Sequence, residues 1–450
     1  MNDVRADHTT PPTTPREDRA LRNVRLLVER NRRDTGLDSA SVSPQAVRSV
    51  GIVGAAMMGT CMAAAHVKHG LPVVITDADQ GVLAGAGPRI AAALAGNGSD
   101  AERRHLVARL VTTTGELAAV ARCDLVLESI TEDFTAKHRL FSQLEEELAP
   151  AAIVASNTST IPIGRLAAGL ADPSRFCGIH FCHPVPERPL VEIIRGPKTS
   201  DLTIATAVAH AKAIARMPIV VQDGPGFLIN RLLLLYLSEA MEMLLEGASV
   251  EAVEEAATAF GWAKGPLRLL DEIALDTTLQ GGWIPSEAFP DRITASPLLV
   301  AMVQAGRLGR KSGAGFFTYL TPSQLAGPQA TAHLGAQSSD EALRAIIAQS
   351  ARPPQQHTPH SITTRLLLPM VLEATRVLEE NKVRDPRDID LGVLFGLGFP
   401  PSRGGLLWWA DTLGAARITE MLRPLQRLGA RAQPTPMLRE MARTAGHFYQ

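Results

Sequence analysis

Residues 49–59 read SVGIVGAAMMG, and this stretch decides the fold. A short β-branched run leads into glycines and then into a helix-forming segment, which predicts a strand, a tight turn and a helix. Gly54, Ala56 and Gly59 occupy the three glycine positions of a G-x-G-x-x-G dinucleotide-binding fingerprint. Gly54 permits the turn, Gly59 lets helix and strand pack closely, and the helix N terminus around Met58 offers N–H groups to a pyrophosphate. We therefore predict a dinucleotide-binding site here.

Asp77 ends the next β-branched run, VVITD, at about the spacing of the acid that binds the cofactor ribose. Its carboxylate can accept hydrogen bonds from both ribose hydroxyls and would repel a 2′-phosphate, which favours NAD over NADP. Ala56 departs from the fingerprint, because a methyl group stands where glycine normally lets the backbone approach the pyrophosphate. Ala56 therefore leaves two outcomes open: the cofactor binds more weakly, or it does not bind.

Around this stretch, short β-branched runs alternate with helical segments over residues 47–224. Such alternation predicts a doubly wound, Rossmann-type α/β sheet with helices on both faces. Residues 1–18 are rich in Pro, Thr and charge and are predicted to be a disordered tail. Residues 19–46 are predicted to form a linker helix ahead of the sheet.

Two related all-helical domains are predicted after the sheet, over residues 225–320 and 361–450, joined by a linker at 321–360 with one short helix near 340–349. The first opens on a long buried helix, for whose first turn Pro225 is suited. Residues 230–247 align without gaps with residues 364–381. The alignment pairs like with like at several positions, Arg231 with Arg365, Glu239 with Glu373 and Ala240 with Ala374. Asn230 has Thr364 as its counterpart, so a polar role at that position belongs to the first copy alone.

The bulk composition excludes several classes of protein. The formal net charge of −1 predicts no attraction to nucleic acid or to an anionic membrane. No apolar run reaches the ~18 residues of a membrane span. The four cysteines show no C-x-x-C spacing and no His/Cys metal-ligand pattern is present, so we expect no metal and a reduced, cytoplasmic setting.

The sharpest chemistry lies in residues 179–194, IHFCHPVPERPLVEII. His180 ends an apolar run, three prolines redirect the chain, and Glu192 lies on the next short run. A hairpin-like return would bring the carboxylate to the imidazole, fix its tautomer and leave the other nitrogen free as a general base. Spacing alone favours an ordinary core pair over a catalytic one.

Other polar residues follow predicted strands at the edge where such sheets bind ligands. Asn157 and Ser159 follow one strand, and Glu132 and Lys137 follow another. Asn230 lies near the start of the long helix. Asn157, Ser159 and Asn230 are each typical of caps and turns, but beside a base they would supply donors for a substrate oxygen. Glu132 and Lys137 by themselves are more typical of a solvated helix start.

The order of these motifs resembles the 3-hydroxyacyl-CoA dehydrogenases. The motifs are VGIVGAAMMG, SNTST, GIHFCHPVPERPLVEII, DGPGFLINR, GPLRLLDEIALDT and GRKSGAGFF. Residues 384–411 look like the last domain of the multifunctional fatty-acid oxidation α-subunit, and the resemblance covers roughly residues 48–450.

The resemblance implies roles for individual residues. His180 is the base and Glu192 its partner, while Ser159 and Asn230 contact the reacting oxygen or position the pair. Three further residues, Asp77, Glu132 and Lys137, fall on positions of the cofactor site, to which Asn157 is also assigned.

The implied reaction is NAD-dependent oxidation of an (S)-3-hydroxyacyl-CoA to the 3-oxoacyl-CoA, as in fatty-acid β-oxidation. The enoyl-CoA hydratase domain of the α-subunit has no counterpart in this sequence, so we expect that the chain does not hydrate enoyl-CoA. We expect a thiolase or a hydratase as its partner. In single-copy relatives the helical domain makes a dimer. A second copy within one chain is compatible with a monomer as well as a homodimer.

His183 is a second departure, because the family usually has asparagine at this position. It either perturbs the base three residues away or is sequence drift. Together with Ala56 it keeps two alternatives open. One is a non-catalytic scaffold that binds acyl-CoA or a protein partner, and the other is a dehydrogenase of a related 3-hydroxy acid without CoA.

Overall fold

The computed structural model describes residues 14–38, 42–319, 337–338 and 341–449. In that part of the chain, eight strands form one sheet in the order β3-β2-β1-β4-β5-β6-β7-β8. The strands are β1 Val50–Val53, β2 Val73–Thr76, β3 Val111–Thr113, β4 Leu125–Glu128, β5 Ile153–Ser156, β6 Phe176–Phe181, β7 Leu190–Arg195 and β8 Met217–Gln222. Neighbours pair in parallel except β6 and β7, which are antiparallel. The doubly wound sheet predicted from the sequence is confirmed.

The central strands are buried at every position, as expected for a sheet covered by helices on both faces. Their register aligns Val53, Glu128, Ser156 and Gly178 across β1, β4, β5 and β6. The segments that follow the parallel strands therefore leave the sheet at one edge, which is where ligands bind in such folds.

Helices of the first part of the chain pack around this sheet. They are α1 Pro15–Arg33, α2 Met57–Val67, α3 Gln80–Ala84, α4 Ala86–Ala93, α5 Asp100–Leu110, α6 Leu117–Ala121, α7 Phe134–Glu147, α8 Ile163–Leu166 and α9 Asp201–Ala213. No helix in the described ranges is long and apolar enough to cross a membrane.

The first helix begins at Pro15, so the predicted tail at 1–18 is wrong for its last residues. The Thr14 hydroxyl accepts from the Glu17 N–H and the Glu17 carboxylate accepts from the Thr14 N–H, a capping box that starts the helix early. The remaining tail residues, 1–13, lie outside the described part. α1 is fixed to the body by Asn23, which donates to the Gly404 carbonyl, and Asn31, which donates to the Pro218 carbonyl.

The rest of the chain is mainly helical. Its helices are α10 Ile229–Leu245, α11 Val250–Phe260, α12 Pro266–Ile273, α13 Leu275–Ala288, α14 Pro297–Gln304, α15 Glu341–Gln349, α16 Pro359–Glu379, α17 Pro386–Gly392, α18 Leu406–Leu413, α19 Ala415–Leu422 and α20 Pro436–Thr444. A short antiparallel pair joins β9 Phe317–Thr318 to β10 Gln337–Ser338. Helix α15 lies where the short linker helix was predicted, whereas linker residues 321–336 and 339–340 lie outside the described ranges.

The long helix α10 begins at Ile229 rather than near Pro225, which corrects the predicted start. Gly226 and Phe227 have φ values of +72° and +48°, which no α-helical residue adopts. The chain therefore turns sharply before the helix, and this turn lies against the site described below.

Equivalent hydrogen bonds support the predicted duplication. In the first copy the Asp271 carboxylate accepts from the N–H groups of Phe316 and Phe317, both at 2.9 Å. In the second copy the Asp411 carboxylate accepts from Phe448 and Tyr449, also at 2.9 Å. Each copy thus fastens its last aromatic pair to a partly or fully buried carboxylate in the same way.

Candidate active site

His180 on β6 and Glu192 on β7 lie directly opposite each other in the antiparallel register. His180 Nδ1 and Glu192 Oε2 are 2.7 Å apart. The predicted hairpin-like return is therefore a pair of adjacent strands, which sets both side chains on one face at the spacing of a cross-strand pair. His180 is 6% exposed and Glu192 is fully buried.

The start of α10 holds the second oxygen of Glu192. Oε1 accepts from the N–H groups of Leu228 and Ile229, at 2.9 and 3.1 Å. A helix N terminus interacts favourably with a carboxylate, and the two N–H groups fix the direction of the Glu192 side chain. Because Glu192 Oε2 is an acceptor, His180 Nδ1 carries the proton, and Nε2, which bonds to no described residue, keeps its lone pair. This is the arrangement of a general base with an orienting acid.

Asn230 and Ser159 are brought together beside this start of α10. Asn230 Nδ2 donates to the Ser159 carbonyl at 2.8 Å, which ties the segment after β5 to the first turn of α10. Both residues are half-buried. The Ser159 hydroxyl and the second N–H of the Asn230 amide bond to no described residue, so each can donate to a ligand.

Asn157 is buried, and its Oδ1 accepts from the Phe181 N–H at 2.9 Å. Phe181 follows His180 directly, so Asn157 fixes the end of the strand that carries His180. Its sequence-based assignment to the cofactor set stays a prediction.

Lys137 is buried beside Glu128, a residue that the sequence interpretation missed, and both join the half-buried Glu132 in one charged network. Lys137 Nζ lies 2.5 Å from Glu128 Oε1 and 3.3 Å from Glu132 Oε2, and it is 1% exposed. The Ser159 N–H donates to Glu132 Oε1 at 3.0 Å. Burial acts to raise the pKa of Glu132, but Lys137 and the hydrogen bonds from Thr158 and Ser159 outweigh it and lower that pKa. The sequence held a signal for Glu128, because it is a charged residue inside the mainly apolar run DLVLESI.

The glycine-rich turn has the geometry of a phosphate-binding loop. Gly54 has a φ of +106°, and a Cβ there would lie 2.4 Å from the Ser129 carbonyl oxygen. A Cβ at Gly59 would lie 1.8 Å from the Gly54 carbonyl oxygen. Ala56 is exposed at the N-cap of α2, without a side-chain cap, so its methyl group faces the space in front of the helix. The loop therefore fits a pyrophosphate, with Met58 in the first turn of the helix behind it.

Asp77 follows β2 and fastens this loop. Its Oδ2 accepts from the Ala55 N–H at 2.7 Å and its Oδ1 accepts from the Asp79 N–H at 2.9 Å. The carboxylate thus lies beside the glycine turn, where a ribose acceptor belongs. His183 is exposed, and its ring bonds to no described residue, so neither interpretation of that departure is tested.

Two protein-family models match this chain. A model of the NAD binding domain of 3-hydroxyacyl-CoA dehydrogenase matches residues 49–224. A model of the C-terminal domain of that enzyme matches twice, at residues 226–319 and 362–448. The double match supports the duplication seen in the helices.

Curated relatives are longer than this chain. The fatty acid oxidation complex subunit alpha of Shewanella baltica (strain OS185) is 35% identical over 456 residues, which cover 99% of this chain and 62% of the relative. The corresponding subunit of Shewanella halifaxensis is also 35% identical with the same coverage. The chain therefore spans about three fifths of the relatives it matches.

Two solved structures are similar over nearly their whole length. The 3-hydroxybutyryl-CoA dehydrogenase of Escherichia coli K12 superposes with a TM-score of 0.75 at 25% identity, covering 89% of this chain and 99% of that one. The (S)-3-hydroxybutyryl-CoA dehydrogenase of Ralstonia eutropha is 35% identical with a TM-score of 0.57, covering 61% of this chain and all of that one.

Proposed function

The chain belongs to the 3-hydroxyacyl-CoA dehydrogenase family, and on that basis we propose that it oxidises (S)-3-hydroxyacyl-CoA thioesters to 3-oxoacyl-CoA with NAD. The observation that carries the proposal is the 2.7 Å contact between His180 Nδ1 and Glu192 Oε2, with Nε2 left free. This pair supplies what an alcohol oxidation needs from a protein, a base for the hydroxyl proton.

The proton step belongs to His180. Its Nε2 takes the proton of the substrate hydroxyl, and the imidazolium that forms is stabilised by Glu192. Two backbone N–H groups at the start of α10 hold that carboxylate, so the charge pair forms in a prearranged field. The Ser159 hydroxyl and the Asn230 amide would donate to the oxygen as it becomes a carbonyl.

Bound NAD would supply the acceptor for the hydride that leaves the substrate carbon. The loop from Gly54 to Gly59 would hold its pyrophosphate, and Asp77 would accept from its ribose hydroxyls. The negative charge of Asp77 disfavours a 2′-phosphate, which supports NAD rather than NADP. The charged network of Lys137, Glu128 and Glu132 would help to form the cofactor site at the same edge of the sheet.

The relatives are subunits of fatty acid oxidation complexes, and the chain spans only part of their length. We infer that it acts together with a hydratase or a thiolase, which handle the preceding and the following step.

The direct test follows NADH formation by the purified chain with (S)-3-hydroxybutyryl-CoA and longer homologues. We expect turnover that is lost in His180→Ala and kept in His105→Ala, which replaces an exposed histidine on α5. A folded protein that reduces NAD with no thioester of any chain length would refute the proposal. Turnover of the free 3-hydroxy acid instead would favour the non-CoA alternative, and the absence of NAD binding in calorimetry would favour a scaffold.

A further inference from the structure

A groove lies between helix α1 and the second helical copy, and none of its lining residues belongs to the candidate active site. Its larger part is a cavity of about 590 Å³, and a second cavity of about 350 Å³ shares Arg19 and Trp408 with it. The lining of the larger cavity includes Arg19, Arg22, Leu26, Arg387, Trp408 and Tyr449. Its volume lies within the range of small-molecule sites, about 300–1,000 Å³.

The wall of this groove that α1 provides is fixed in place. The Asn23 side chain donates to the Gly404 carbonyl at 2.8 Å, and Arg16 donates to the Thr412 hydroxyl at 2.6 Å. Arg30 donates to the Asp388 carboxylate at 2.7 Å. Helix α1 is therefore held against the second copy at several points along its length, and the groove is formed before any ligand binds.

The groove is strongly basic. No carboxylate is found among the described residues that line the two cavities, whereas six arginines line them, namely Arg16, Arg19, Arg22, Arg30, Arg387 and Arg403. Asp385 and Asp388 neutralise part of this charge by pairing with Arg30. Burial, together with the nearby positive charge of Arg16, lowers the pKa of Arg403. Such crowding of cations attracts an anion.

Two of these arginines are free to bind an anion. Arg19 and Arg22 are exposed, and their guanidinium groups bond to no residue in the described ranges. They lie three residues apart on α1, about 4.5 Å along the helix axis. Arginine binds phosphate through paired N–H donors, so two guanidinium groups at this spacing suit adjacent phosphate groups.

The other side of the groove is aromatic. The rings of Trp408 and Tyr449 have centroids 5.0 Å apart, and the Arg387 guanidinium lies 5.0 Å from the centroid of the Tyr449 ring. Both aromatic residues are half-buried, and Leu26 beside them is 57% exposed. A planar base can stack on such rings whatever its identity, because every base has a π-face.

We propose that this groove binds a nucleoside diphosphate, free or as part of a coenzyme, with the base against Trp408 and the phosphates on Arg19 and Arg22. Its concave shape and its volume favour a small ligand over the surface of an acidic protein. The aromatic rings and the unpaired arginines match the two halves of a nucleotide. The site is separate from the glycine-rich loop and does not depend on the proposed oxidation.

The test needs a signal from the groove alone, because the glycine-rich loop can bind the same nucleotides. The full chain has four tryptophans, so fluorotryptophan labelling gives four fluorine NMR resonances, and Trp408→Phe assigns that of Trp408. Trp283, which is 63% exposed and lies outside the groove, is the internal reference. The probes are ADP, coenzyme A, adenosine and inorganic pyrophosphate, each titrated separately.

Two double variants remove the same charge from α1. Arg19→Gln with Arg22→Gln removes the unpaired guanidinium groups of the groove. Arg25→Gln with Arg32→Gln removes two arginines of the same helix that line neither cavity. All four side chains are exposed, so we expect both variants to fold.

We expect ADP to shift the Trp408 resonance to saturation. Adenosine and pyrophosphate each lack one half of the ligand and should bind about tenfold more weakly. The groove variant should weaken ADP binding by about tenfold as well, and the control variant should leave it unchanged. Tighter binding of coenzyme A than of ADP would support the site with a coenzyme as its ligand, and the reverse order would support it with a free nucleotide.

The inference would be overturned if neither ADP nor coenzyme A shifted the Trp408 resonance to saturation. Pyrophosphate that binds as tightly as ADP would overturn the role of the base. The same loss of ADP binding in both double variants would show that only the overall charge of α1 matters, which also overturns the site. A shift produced by poly-glutamate and not by ADP would overturn it in favour of an acidic protein surface.

Discussion

Arg231 and Arg365 lie at equivalent positions of the two helical copies, and each binds the glutamates of the other copy. Arg231 Nε donates to Glu373 at 2.8 Å, and Arg365 Nε donates to Glu239 at 2.7 Å. Both arginines are almost fully buried, as are both glutamates. Helices α10 and α16 therefore pair through reciprocal buried ion pairs, as two subunits related by a two-fold axis would.

Replacing Arg365 by methionine should destabilise the helical part strongly. The substitution removes the most buried partner of Glu239 and Glu246, although Glu239 keeps Arg431, and breaking a buried pair on one side costs about 3–5 kcal/mol. The free energy of unfolding, measured in urea by circular dichroism, should fall by about that amount. Arg443→Met, which removes an exposed pair with Glu440, should change little. Similar effects in both variants would show that burial does not matter here.

The same pairing predicts that the chain is a monomer. The face of α10 that carries Arg231 and Glu239 is already covered by α16 of the same chain. A second chain would find no free copy of that surface, so sedimentation should give the mass of one chain. A concentration-independent mass of two chains would show that another surface makes a dimer.

The strands of the sheet could be predicted from the sequence because their burial leaves a pattern in it. Strands buried on both faces leave short β-branched runs, and the runs quoted from residues 49–53, 73–77 and 179–194 form β1, β2, β6 and β7. The pairing of His180 with Glu192 followed from two such runs joined by prolines. The backbone groups that hold Glu192 were missed because sequence spacing does not show where N–H groups point. The N–H groups of Leu228 and Ile229 reach Glu192 only because the turn at Gly226 and Phe227 has positive φ.

Glu192→Gln should remove catalysis without changing the fold. The amide oxygen can still accept from Leu228 and Ile229, but the amide N–H₂ then faces His180 Nδ1. His180 must accept at Nδ1 and carry its proton on Nε2, so it no longer acts as a base. We expect kcat to fall roughly 10²- to 10⁴-fold with unchanged NAD affinity. Glu187→Gln, an exposed residue of the same hairpin, is the control. Activity close to wild type in Glu192→Gln would exclude this role for the carboxylate.

Ala56→Gly should strengthen NAD binding. The exposed methyl group lies at the N-cap of α2, where the pyrophosphate would approach, and its φ of −71° is one that glycine also adopts. We expect the Kd for NAD in calorimetry to fall several-fold. Gly59→Ala is the opposite case, because its Cβ would lie 1.8 Å from the Gly54 carbonyl oxygen, and it should abolish binding. No gain in Ala56→Gly would mean that the cofactor already avoids the methyl group.

Acid should unfold the protein through a buried histidine pair. His66 Nε2 and His210 Nε2 are 2.9 Å apart, and His66 Nδ1 donates to the Met62 carbonyl, so His66 Nε2 accepts from His210 and the His66 ring is neutral. Burial lowers the pKa of His66 to about 4, and burial together with His66 lowers the pKa of His210 to about 3. The unfolded value is about 6.5, so the unfolded chain binds protons first as the pH falls.

The contribution of this pair to stability is fully present above about pH 6.5 and is lost as the pH falls toward 4. Between pH 7 and pH 5 each histidine should remove about 2 kcal/mol from the free energy of unfolding. In the double variant His66→Gln, His210→Gln this part of the pH slope should disappear, because glutamine keeps polar groups without titrating. Replacing the exposed His105 by glutamine should leave the slope unchanged. An unchanged slope in the double variant would assign the acid sensitivity to other groups.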